Sequence, residues 1–421
     1  MLVDFTVENF RSIKGAETLS AVAQKKKANL TSNGEGRRRV KSDDEIALPY
    51  HVEGWDLDIL PVLAIFGANA SGKSNIVVAL DYLLTFMRFG NSENDSHHNR
   101  LIPFRLDKLS AESPTRFELR TVFNGTIYTY HLELDRTRIL SEKLDYAQAS
   151  SKRDRCLFHR VWNQDLKKFD WKNGRDFKGS HTQLETSVNN QEPFMSLLMR
   201  LEVKIIEPLS NWLNVRSIGT SLGYQDELFD RWLFSRLAHK YPEFISKKAS
   251  ELLCKFDTGI SGFEIKKSED NKDDYQIYAI HHTKDGDIHW PFEEESMGTQ
   301  RLFGIAHRIH QAFSADSLVI IDELGSNVHP NVTRAIVRLF QNPKTNPNRS
   351  QLIFTSHDNT IQKNNLLRRD QIWFTQKRSD QSTELYSLSD FKVRNDLAIE
   401  KAYLDGRFGA VPFIPEDEEL I

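Results

Sequence analysis

Four short segments of this chain carry residue types that could do chemistry on a phosphate ester or anhydride. The first is GANASGKS, Gly67 to Ser74, which has the spacing G-x-x-x-x-G-K-[ST]. Glycines at Gly67 and Gly72 let the backbone curl until its N–H groups face inward, onto phosphate oxygens. Asn69, Ala70 and Ser71 complete the curl, Lys73 reaches the β- and γ-phosphates, and the Ser74 hydroxyl is placed to ligate Mg²⁺. The second is SLVIIDE, Ser317 to Glu323, in which four apolar residues lead to adjacent carboxylates. Asp322 is the candidate to hold Mg²⁺, and Glu323 the candidate general base for an attacking water. The third is ESMGTQR, Glu295 to Arg301, just ahead of an amphipathic stretch (Leu302, Ile305, Ala306, Ile309, Phe313). Ser296 reads as a helix cap, so the exposed N–H groups beside Gly298 and Gln300 form a second anion site. The fourth is SHD, Ser356 to Asp358, whose His357 is placed to contact a γ-phosphate. Taken singly, the last three have plainer readings: a core strand ending in acids, a good cap, a loop histidine. The complete phosphate loop shifts the weight toward function.

These segments need a scaffold that brings them to one edge. The run PVLAIF before the loop is apolar from Val62 to Phe66, as in a parallel strand covered on both faces. After the loop, Ile76, Val77, Leu80, Leu83, Leu84 and Met87 follow helical spacing. SLVIID and SQLIFTSH read as further buried strands, separated by helical segments, which implies βαβ units. The expected fold is therefore α/β, a P-loop nucleotide-binding core with a mixed sheet. The N-terminal LVDFTVENF alternates Val3, Phe5 and Val7 against Asp4, Thr6 and Glu8, a half-buried strand. TRFELRTVF and TIYTYHLEL are joined by Asn124-Gly125, a hairpin signal. From about Gln191 to Phe256 the pattern is helical, including Trp232, Leu233 and Leu237, and reads as an insertion. The expected division is 1–145 for an N-terminal lobe carrying the phosphate loop, 146–284 for a mainly helical insertion with strands, and 285–421 for a C-terminal lobe.

The four segments, in this order, resemble the ABC-type ATPase heads of SMC and RecF-like DNA-maintenance proteins. In that family they are the Walker A loop, the signature motif, Walker B and the switch histidine. GTQR departs from the commoner SGGQ signature but keeps Ser296, Gly298 and Gln300. NFRS, Asn9 to Ser12, also matches, which implies that Arg11 lies near the nucleotide. GSNVHP, Gly325 to Pro330, looks like the family's D-loop. NASGKSN with Asn75, ESMGTQR, DELGSNVHP, SHD and the tail YLDGRFGAVPFI together resemble the RloA-type and AriA-type ATPases of bacterial phage-defence operons, AriA being the ATPase half of the PARIS system. The resemblance implies an ABC-type head with a helical insertion that binds and hydrolyses ATP with Mg²⁺. It also implies a homo-oligomer built on an ATP-sandwiching dimer contact. The implied partners are a separate toprim-type nuclease effector and a phage-encoded trigger protein; nucleic acid is not required, and no membrane is involved.

Composition leaves two further readings open. One is an ATPase that clamps nucleic acid directly, favoured by the basic runs Lys25–Lys27 and Arg37–Arg39. It is disfavoured by a short insertion and a net charge of -3, which leaves only local patches for a polyanion. The other is a non-hydrolysing scaffold, against which Glu323 argues. Two cysteines, Cys156 and Cys254, form no CxxC pair, and no apolar run approaches the roughly 20 residues of a membrane span. MLVDFTVENFRS has no signal-peptide pattern, so the expected location is cytoplasmic. His97-His98 and His281-His282 lack partners at zinc-like spacing and read as solvated or strand residues, and the acidic Glu416–Glu419 as a tail.

Overall fold

A computed structural model describes residues 1–25, 48–90, 101–177, 182–215, 217–219, 245, 247, 250–256, 259–267, 275–314, 316–363, 366–394 and 397–412. The second helix of the insertion (Trp232, Leu233, Leu237), the runs Lys26–Lys27 and Arg37–Arg39, His97-His98 and Glu416–Glu419 lie outside them.

The site is carried by a six-stranded mixed sheet in the order Ser217–Gly219, Leu318–Ile321, Gln351–Thr355, Val62–Gly67, Ile372–Lys377, Thr383–Ser387. All neighbours run parallel except the last hairpin. The strand Val62–Gly67 is buried at every position, and its side chains alternate between two cores. Leu63 and Ile65 enter the core on one face, while Val62, Ala64 and Phe66 enter the core on the other. This explains why the sequence is apolar throughout rather than alternating.

The first core is closed by a seven-stranded antiparallel sheet in the order Lys168–Asn173, Arg155–Asn163, Ile139–Gln148, Thr126–Leu134, Thr115–Phe123, Leu2–Glu8, Glu17–Ser20. In the N-terminal strand Val3, Phe5 and Val7 are the buried set. Asn124 (φ 47°) and Gly125 (φ 71°) are both left-handed, which is the geometry of a two-residue hairpin turn. This sheet runs past residue 145, with a register shift between Leu144 and Asp145, and reaches Asn173. The helix Lys73–Phe89 lies between the two sheets and is buried almost all round, from Ile76 to Met87. Gln351, buried at the start of its strand, stitches the sheets together: it accepts from Leu2 N (2.6 Å) and donates to Leu2 O (3.0 Å) and Leu60 O (3.2 Å).

A third, smaller core belongs to a three-stranded antiparallel sheet, Gly262–Lys267, Tyr275–Thr283 and Gly286–Pro291, packed on the helix Met297–Phe313. Phe263, Phe292 and Phe303 stack there with centroids 4.8 to 5.5 Å apart. Among the described residues no helix is long and apolar enough to cross a membrane.

Candidate active site at the carboxyl edge of the sheet

The phosphate loop leaves the carboxyl end of Val62–Gly67 and turns into the N-terminus of Lys73–Phe89. Asn69 and Ala70 form its exposed tip, with Ala70 left-handed at φ 60°. Gly72 is the helix cap at φ 109°, and a Cβ there would stand 2.0 Å from Thr383 Oγ1, so only glycine fits. The loop is seated on the neighbouring hairpin. Ser71 Oγ meets Thr375 Oγ1 at 2.6 Å, and Thr383 Oγ1 donates to the Ser71 carbonyl at 2.9 Å. Lys73 is buried, and its ammonium donates to the carbonyls of Gly67 (2.9 Å) and Ala68 (3.0 Å). Burial pushes its pKa down, against the opposing pull of Asp322 and Glu323. A buried ammonium curled onto its own loop, beside backbone N–H groups and a helix N-terminus, fits a polyphosphate that would take it over.

Asn75, on the first turn of the helix, donates to Ser12 Oγ (2.6 Å), and Ser12 Oγ meets Thr383 Oγ1 at 2.7 Å. The NFRS turn is thereby tied to the loop. Asn9 and Arg11 are both left-handed (φ 55° and 51°). Asn9 is the fastener: its amide donates to the carbonyls of Ser110, Ser113 and Pro114, and its carbonyl accepts from Phe104 N. Arg11 N donates to Ile102 O at 2.6 Å, while its side-chain Nε is buried with no partner. Burial lowers the Arg11 pKa, as expected of a guanidinium awaiting an anion.

Two strands away, Leu318–Ile321 delivers Asp322 and Glu323 to the same edge, with Gln351–Thr355 between it and the loop strand. Thr355 links the pair: its hydroxyl donates to Asp322 Oδ1 (2.5 Å) and accepts from Glu323 N (2.7 Å). Asp322 is buried, whereas Glu323 is half exposed and left-handed at φ 54°. Ser326 Oγ donates to Glu323 Oε2 at 2.9 Å, and His357 Nε2 lies 3.9 Å from Oε1. Burial, then the charge of Lys73, holds His357 below the ordinary histidine range, so it is neutral near pH 7 and its second nitrogen can accept. The Ser74 hydroxyl makes no bond to another described residue. A buried carboxylate and a hydroxyl are oxygen donors of the kind Mg²⁺ takes.

The signature segment caps its helix as its sequence suggests. Ser296 Oγ accepts from Thr299 N at 3.2 Å. Gly298 lies against the D-loop of the same chain, where an added Cβ would sit 2.5 Å from Asn327 O. Gln300 turns its amide back, donating to the carbonyls of Glu293 and Glu295 (both 2.9 Å). Arg301 donates to the carbonyls of Asp322 (3.0 Å) and Glu323 (2.6 Å), fastening this helix to the acidic strand end. The structure therefore gathers the loop, Asp322, Glu323 and His357 at one edge, and ties the turn that carries Arg11 to the loop through Ser12 and Asn75. Ser296 and Gly298 belong to a turn joined to that edge through Arg301 and Asn327, and its helix packs Leu302 and Ile305 into the same core as Val62, Ala64 and Phe66. Sequence reading missed Thr355, Thr375, Thr383, Ser12 and Arg301. Ser12, Thr355 and Arg301, each in or beside a motif, carried a local signal.

Residues 62–361 match the family described as "AAA domain, putative AbiEii toxin, Type IV TA system". The chain belongs to this family. No curated protein matches it. Among solved structures, this AAA-domain chain is similar to an Smc head bound to the C-winged helix domain of ScpA (14% identity, 96% of this chain and 99% of that one, TM-score 0.45). It is also similar to the SMC head domain from Thermotoga maritima (14%, 92% and 98%, 0.40). A third is the recombination mediator protein RecF with ATP (12%, 91% and 97%, 0.34).

Proposed function

We propose that this protein binds ATP and Mg²⁺ at the phosphate loop and hydrolyses the nucleotide in a site completed by a second copy of the chain. The observation that carries the reading is the convergence of Lys73, Asp322, Glu323 and His357 on one sheet edge, two of them buried. Gly67 to Ser74, with Asn75 behind them, wrap the β- and γ-phosphates through backbone N–H groups, and Lys73 trades its loop carbonyls for phosphate oxygens. Ser74 and Asp322 would hold Mg²⁺, which would neutralise phosphate charge when bound. Glu323 accepts the proton of the attacking water, and its position is set by Thr355 below and Ser326 beside it. His357, neutral and next to Glu323, contacts the γ-phosphate and registers its loss. Arg11 supplies the remaining cation at the nucleotide.

The finer reading is an antiviral sensor or scaffold that holds a separate toprim nuclease while ATP-bound and releases it on a phage signal. The motif resemblance and a family whose description names a putative toxin of type IV toxin–antitoxin systems both support it. Direct clamping of nucleic acid is the alternative. Of the two basic runs that motivate it, only Lys25 is described, and it pairs with Asp56. The test is Glu323→Gln. Its amide keeps the shape but accepts no proton, so turnover should fall by about 10²–10⁴ while ATP binding persists and the ATP-bound assembly accumulates. Wild-type turnover in this variant would remove Glu323 as the base.

A further inference from the structure

We infer that His281 is the positioning residue of the signature turn, and that the three-stranded sheet acts on the nucleotide site through it. This rests on the reading that Ser296 and Gly298 contact the γ-phosphate of a second chain. His281 sits near the end of Tyr275–Thr283, fourteen positions before the signature segment, and belongs to no metal-ligand group among the described residues. Its imidazole nevertheless bridges two acceptors. Nε2 lies 2.6 Å from Glu295 Oε1 and Nδ1 lies 3.1 Å from Gly259 O. The contact with Glu295 is mostly shielded: the Glu295 side chain is 12% exposed and that of His281 29%.

Glu295 is the residue immediately before the Ser296 cap. Its carboxylate is held by His281 and its carbonyl by the Gln300 amide, so both ends of one residue are fixed, from the sheet and from the helix. Behind this contact, Phe263 and Phe292 pack on Phe303 of the same helix. The sheet and the signature turn are therefore one unit. A displacement of the sheet by any partner would move Ser296, while the phosphate loop is seated separately on Thr375 and Thr383. His281 touches neither nucleotide nor reacting water; it acts through Glu295.

A double-mutant cycle on the full chain tests this, using His281→Ala, Glu295→Ala and the pair, with His281→Gln as the conservative variant. The readouts are binding of a fluorescent ATP analogue to dilute protein, ATP turnover, and the protein concentration at which ATP drives assembly. Each single alanine variant should bind the analogue as wild type does. Turnover should fall roughly tenfold, the scale of one part-buried hydrogen bond, and assembly should need more protein. The double variant should be no worse than either single one, and His281→Gln, which keeps one donor toward Glu295, should recover part of the loss. Multiplying losses, or wild-type turnover and assembly in His281→Ala, overturn the inference. Ser296→Arg run alongside separates the two levels. If it abolishes turnover while His281→Ala does not reduce it, only the positioning role falls; if Ser296→Arg is itself silent, the shared-site reading falls and takes this inference with it.

Discussion

The two turns proposed to meet the nucleotide's phosphates are built in different ways. The phosphate loop is seated on a single hairpin: Gly72 fits only against Thr383, Ser71 is held by two threonines, and Lys73 is already buried inside the curl. The signature turn is held by three separate parts of the chain. Its glycine lies against Asn327, its arginine reaches the Asp322 and Glu323 carbonyls, and the residue before its cap is held by His281. On the proposed reading, one half is a preformed receptor for phosphate. The other half is a lever whose position reports on the D-loop, the acidic strand end and the small sheet together.

Breaking the receptor should have the largest effect. Lys73→Ala removes the ammonium at the centre of the loop, and ATP affinity should drop by about a hundredfold or more. Equilibrium binding of a fluorescent ATP analogue checks this, and undiminished affinity would detach Gly67–Ser74 from the nucleotide.

Breaking the lever should leave binding intact. Gly298→Val sets side-chain carbon where Asn327 O stands 2.5 Å from the ideal Cβ, so the turn must shift. Turnover should fall by roughly a hundredfold, a cost expected of an ångström-scale misplacement, with nucleotide affinity unchanged. Equal losses of affinity and turnover would mean that the two halves are not separable.

A smaller effect separates the halves by pH. His307, on the helix behind the signature turn, is buried, and its pKa is lowered to about 4, first by burial and then by Arg308 and His310. The unfolded chain takes up this proton near pH 6.5 and the folded chain only near 4. The contribution is therefore intact above about pH 6.5 and is lost as pH falls toward 4, by roughly 3 kcal/mol at most. His307→Gln should flatten the acid slope of thermal unfolding in that window and leave stability near pH 7.5 less changed. A slope identical to wild type would place the acid sensitivity elsewhere.

What the sequence made legible follows the same division. The loop strand, the loop and the helix after it are contiguous, so spacing and apolar runs disclosed them together. Asp322 and Glu323 ended a visible apolar strand. The partners that orient these groups are threonines and an arginine, common surface types whose role depends on register: Thr375 and Thr383 lie on strands more than 300 residues after the loop they seat. His281 was read as a solvated or strand residue because its partner is fourteen positions away and is not a metal ligand.

The central claim is that one ATP site needs two chains, and mixing two inactive variants tests it most directly. Lys73→Ala lacks the receptor and Ser296→Arg lacks the lever, so each should be inactive alone. Their mixed dimer holds one site with an intact loop from one protomer and an intact signature turn from its partner. The account predicts that ATPase activity returns on mixing, in proportion to the mixed species, and that ATP drives the two chains together. If Ser296→Arg alone turns over ATP and assembles like wild type, or if the mixture stays as inactive as its components, the site belongs to a single chain and the account is wrong.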